Sequence, residues 1–161
     1  MSVTGLEVFD ATVHKTNAWL KRLMAIQGWD NRRLAYLGMR ATLHALRDRL
    51  TIEEVAQLGA QLPMLMRGFY YEGWDPTGKP LRQRHRDEFL ARVESEFRPE
   101  QPIPTDSVVR AVFRVLAEQV ADGEIEDVRQ LLPSEVRELW PDVRAERPTA
   151  DEGQHARQSG P

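Results

Sequence analysis

The chain has 161 residues, 22 basic against 25 acidic, a net charge of −3 and no cysteine. That length suits one domain, or two small ones sharing a core, while the missing cysteine excludes disulfides, thiolate metal sites and cysteine nucleophiles. The near-even charge argues against a general nucleic-acid binder, and the lack of a long apolar run or a basic-then-apolar leader leads us to expect a soluble, cytoplasmic protein.

Phe9, Val13, Thr16, Leu20 and Leu23 recur at helical spacing and predict an amphipathic helix from about Leu6 to Gln27. Gly28 suits the left-handed position that ends a helix, with Trp29 folding back on Met24, and Asp30 is placed to cap a second helix. That helix, about Asn31 to Arg49, carries Met39, Leu43, Leu46 and Leu50. Thr51 and Glu54 then read as a capping box that opens a third helix through Val55, Leu58 and Leu62. Pro63 starts a short helix to about Tyr71, and Gly73-Trp74-Asp75 repeats the earlier punctuation. A connector with Lys79, Arg82, Arg84 and Arg86 leads into a helix over about Arg86–Phe97. After a proline-rich loop, Thr105-Asp106 cap a helix bearing Val109, Phe113, Leu116 and Val120. Asp122 is expected to cap the next helix, and Pro133 begins a last short one to about Leu139.

The second half echoes the first at a gap-free offset of 70 residues: Arg40-Ala41, Leu46, Glu54, Leu62-Pro63 and Arg67 return as Arg110-Ala111, Leu116, Glu124, Leu132-Pro133 and Arg137. Apolar positions follow the same register, Leu43 with Phe113 and Leu58 with Val128. The expected fold is all-α, with about eight helices in two pseudo-symmetric four-helix repeats, about 6–74 and 84–140, sharing one core in a single domain over 1–141. Residues 142–161 are polar and expected to form a disordered tail.

Two strings carry a resemblance. One runs Leu43-His44-Ala45-Leu46-Arg47-Asp48-Arg49-Leu50, Glu53-Glu54, Gln61-Leu62-Pro63 and Tyr70-Tyr71-Glu72-Gly73-Trp74. The other runs Gly123-Glu124-Ile125-Glu126-Asp127-Val128, Leu132-Pro133 and Leu139-Trp140. Together they resemble a prokaryotic family catalogued as domain of unknown function (DUF) 2267, over about Phe9 to Pro141. The resemblance implies an all-helical bacterial protein and brings no activity and no catalytic residues.

Chemistry-bearing residues are sparse in pattern. No Glu-x-x-His pair lies within the expected helices, no serine sits in a nucleophile elbow, and no phosphate loop is present. No metal, cofactor or catalytic residue is therefore expected. Glu54 and Glu124 recur and read either as an acid/base pair in a groove or, with more support, as first-turn carboxylates that cap and face the helix dipole. His44, one residue off the apolar stripe, is expected to be partly exposed. Arg67 and Arg137 are expected to fork onto helix-end carbonyls or a carboxylate. Three adjacent aromatics cannot all face inward on one helix, so one of Tyr70 and Tyr71 should reach solvent. With Trp74 and the basic stretch Lys79, Arg82, Arg84 and Arg86 they form the candidate interaction surface. The expected function is a non-enzymatic interaction or regulatory module with a protein partner rather than nucleic acid. The alternative is a small-ligand or lipid-binding protein with a pocket between the repeats. Self-association through the N-terminal extension or the tail stays open.

Overall fold

The computed structural model describes residues 2–142, and every regular element among them is an α-helix. In chain order these are α1 (Glu7–Gln27), α2 (Arg32–Arg47), α3 (Ile52–Gln61), α4 (Met64–Tyr71), α5 (Arg86–Glu94), α6 (Thr105–Gln119), α7 (Asp122–Leu131) and α8 (Ser134–Arg137). The fold is all-α, as expected. The expected tail lies, apart from Asp142, outside the described residues.

Local chemistry sets most boundaries. Gly28 ends α1 at φ 69°, a left-handed conformation that a side chain would strain, and the Trp29 amide donates to the Met24 carbonyl at 2.9 Å. Asn31, not Asp30, caps α2, its side chain accepting from the Leu34 amide at 3.1 Å. Thr51 caps α3 through the Glu54 amide at 3.3 Å. Two expected caps are absent. Asp122 lies inside the first turn of α7 after Ala121, and α6 follows Pro104 without a side-chain cap. In the first turn, Asp106 and Asp122 still face the positive end of the helix dipole.

The short helices are fastened by arginines in the same way twice. Arg67 donates from Nε to the Gly59 carbonyl (2.8 Å) and from Nη2 to that of Leu62 (3.1 Å). Arg137 donates from Nε to the Arg129 carbonyl (3.0 Å) and from Nη2 to that of Leu132 (2.9 Å). Acceptors and donors alike are 70 residues apart. The arginines give the carbonyls at the ends of α3 and α7 further donors, in the helix-end form of the expectation.

The two halves interlock. The first helix of each packs on the second helix of the other, α1 on α6 and α5 on α2, while α2 crosses α6 and α3 meets α7. Arg22 on α1 pairs with Glu118 on α6 at 2.8 Å, and Arg92 on α5 with Asp48 just beyond α2 at 3.7 Å. These pairs exchange at the 70-residue offset. At the α2–α6 crossing, a Cβ on Gly38 would stand 3.0 Å from Val108 Cγ1, and Val108 is the residue that Gly38 matches in the repeat. A residue that touches its own repeat-mate is what a twofold relation between halves places on its axis. Leu43 and Phe113, and Leu62 and Leu132, are buried in one continuous core.

Candidate functional site

Glu54 and Glu124, in the first turns of α3 and α7, meet where those helices pack. Oε1 of each is buried without a hydrogen-bond partner among the described residues. Asp127 lies one turn further along α7, and one oxygen from each of the three falls within 4.8 Å of the others. Burial, followed by the neighbouring carboxyls of Glu54 and Asp127, pushes Glu124 up to about 8. The capping-box reading of Glu54 is thus half right. Thr51 caps, but the Glu54 carboxyl faces Glu124 rather than turning back to its own helix start.

A second polar group lies between α2, α4 and α5. His44 is 3% exposed, not partly exposed as its position on the wheel suggested. Its Nδ1 lies 2.8 Å from Glu96 Oε1 and its Nε2 2.6 Å from the Phe69 carbonyl. Arg40 and Arg92 also reach Glu96, at 3.3 and 3.4 Å. Burial pushes the Glu96 carboxyl up, but the His44 hydrogen bond and the charges of His44, Arg92 and Arg40 outweigh it and leave it below the usual range. Buried Arg47 donates to the carbonyls of Tyr70 (2.8 Å) and Glu72 (3.0 Å) and pairs with Asp48. These bonds tie the ends of α4 and α5 to α2, so the group has structural work.

The expected interaction residues do not form one outward face. Tyr70 is fully buried, and its hydroxyl donates to the Val55 carbonyl at 2.9 Å. Desolvation pushes that hydroxyl well above its ordinary range. Tyr71 and Trp74 are half-buried with rings 5.9 Å apart, and the Tyr71 hydroxyl also reaches Val55. The basic connector lies along the end of α2, where the Leu81 amide donates to the Asp48 carbonyl at 2.8 Å and Arg49 reaches the Gln83 carbonyl. Arg86 is held by Glu135 and Glu138 at α8, Lys79 is half-buried, and Arg82 and Arg84 are exposed.

The structure brings forward another surface. The apolar stripe of α1 is buried from Thr16 onward, half-buried at Val13 and exposed at Phe9. Val8 is 61% exposed, and Phe9, Met64 and Leu65 are 46% exposed each. Val8, Thr12, Trp19, Leu62 and Met64 line a groove of about 470 Å³ between α1 and the α3–α4 junction. Thr12 Oγ1 accepts from the Leu65 amide at 2.9 Å and fixes its floor. A second cavity of about 470 Å³ lies between the end of α1, α6 and residues 139–141, with Gln27, Ser107, Arg110, Arg114 and Trp140 on its walls. It occupies the place that corresponds, at the offset of 70, to the His44–Glu96 group. There Arg114 stands for His44 and Ile26 for Glu96. The sequence placed Phe9 in the stripe, on an extension of the first helix ahead of the repeat, but did not show that the core stops short of it.

A family model described as "Uncharacterized conserved protein (DUF2267)" matches residues 16–139, which leaves the uncovered start of α1 ahead of the match. No curated protein matches the chain. No helix among the described residues is long and apolar enough to cross a membrane.

Proposed function

This chain belongs to the DUF2267 family, whose description states no activity, and from that premise we propose that it is a non-enzymatic protein-interaction module. The observation that carries this reading is the apolar groove at the start of α1. Exposed Val8 and Met64 line this groove with Trp19 and Leu62, and Phe9 and Leu65, next to them in the chain, are exposed as well. Isolated exposed apolar residues are ordinary, but several around one groove suit the apolar face of a partner helix. Arg82 and Arg84, exposed and without a hydrogen-bonded partner among the described residues, give an acidic partner a further point of contact.

A photo-crosslinking amino acid at position 65, in cells that express the protein, tests the reading. We expect a discrete crosslinked protein that is lost when Val8→Glu and Met64→Glu are added and the melting curve is unchanged. Crosslinking no stronger than from a control at Arg98 contradicts it.

A second reading, a small acidic ligand, is favoured by the cavity lined by Arg114 and by Arg110, which also pairs with Asp106 on the same wall. Mass spectrometry of denatured protein tests it: a copurified small anion supports this reading, and protein free of one argues against it.

A further inference from the structure

Glu54, Glu124 and Asp127 present three carboxylates to one point between α3 and α7, with an oxygen of each within 4.8 Å of the other two. A separate feature points to a ligand there. Glu54 is only 8% exposed, yet its Oε1 accepts no hydrogen bond from elsewhere in the described residues. None of the ion pairs among the described residues involves any of the three. The neighbouring hydroxyls of Tyr70 and Tyr71 are both spent on the Val55 carbonyl. A buried carboxylate without a donor or counter-charge is costly.

We propose that this trio binds one divalent cation of the oxygen-liganded class, such as Mn²⁺, Ca²⁺ or Mg²⁺, across the junction of the two halves. Such an ion holds its oxygens at about 2.0–2.6 Å, so oxygens that share it lie within about 5 Å of one another, as these do. Carboxylate donors select this class over thiophilic metals. Asp127 is exposed and leaves the outer side of the site open for water ligands and for entry of the ion. The cation joins α3 to α7, so binding stabilises the packed form by mass action. The site is independent of the groove at α1.

Titration of the full chain with Mn²⁺ at pH 8.5, followed by calorimetry and by loss of the free-ion EPR signal, tests the proposal. The expected result is one saturable site per chain and a melting midpoint that rises with Mn²⁺. Glu124→Gln and Asp127→Asn should each weaken binding at least tenfold, while Glu100→Gln, in the loop after α5, should leave it unchanged. Melting curves without metal show that each variant is folded, and the two ligand variants serve as independent checks. No saturable binding up to millimolar Mn²⁺ overturns the proposal. So does binding that both ligand variants retain.

Discussion

His44 joins three elements from within the core, with Glu96, just beyond α5, at one ring nitrogen and the Phe69 carbonyl of α4 at the other. Replacing it with alanine strips a buried carbonyl and a half-buried carboxylate of their main partner. We expect His44→Ala to cost on the order of 2–3 kcal/mol, read as a lower urea midpoint. A neutral result would mean that Arg40 and Arg92 suffice. Glu96 also sets a pH dependence. Its folded value lies below the ordinary 4.5, so between the two the unfolded chain binds more protons. Its contribution is present in full above about 4.5 and is lost as pH falls through the depressed folded value. Glu96→Gln should flatten that part of the acid limb of stability. Nothing near position 44 in the chain foretells this, because the deciding partner is Glu96, 52 residues away. The recurrence of Glu54 and Glu124 is legible in the sequence, but an offset does not say which repeat-mates touch. The pattern leaves Tyr70 and Tyr71 as equal candidates for exposure. The structure buries Tyr70 fully and leaves Tyr71 half-buried, with both hydroxyls on the Val55 carbonyl.

At the scale of elements, the pattern of apolar residues and punctuation foretells all eight helices, because each has its own stripe and a glycine, proline or polar residue at its ends. The caps are less legible. Several residues can cap within one turn, and the backbone chooses, as it does between Asp30 and Asn31. The arginine fastenings give a test at this scale. Arg67 and Arg137 hold equivalent carbonyls, so Arg67→Ala and Arg137→Ala should each cost about 1–2 kcal/mol by chemical denaturation. Absence of loss in both would show that the fastenings contribute nothing. The halves also differ where their neighbours differ. A Cβ at Gly59 would stand 2.7 Å from the Tyr71 hydroxyl, whereas its repeat-mate is Arg129. Position 141, the mate of Tyr71, is Pro141, so the matching position carries no aromatic ring.

For the whole molecule, the exchange of contacts matters more than the contents of either half. With α1 on α6 and α5 on α2, each half lends a helix to the other's core, and Arg22–Glu118 and Arg92–Asp48 close the exchange. The offset of 70 foretells two related units with a shared core. It does not foretell that the helices cross over, since local patterns carry no record of which surface a stripe meets. Nor does it show that α1 outruns the core, the feature on which the proposed interaction rests. A half-chain ending at Thr77 keeps α1 without α6 and α2 without α5, and should lack a complete core. Differential scanning calorimetry of the full chain tests this interlocking most directly. One transition, with calorimetric and van't Hoff enthalpies equal, is predicted. Two separable transitions, or a cooperative melt from the fragment 1–77 alone, would contradict it.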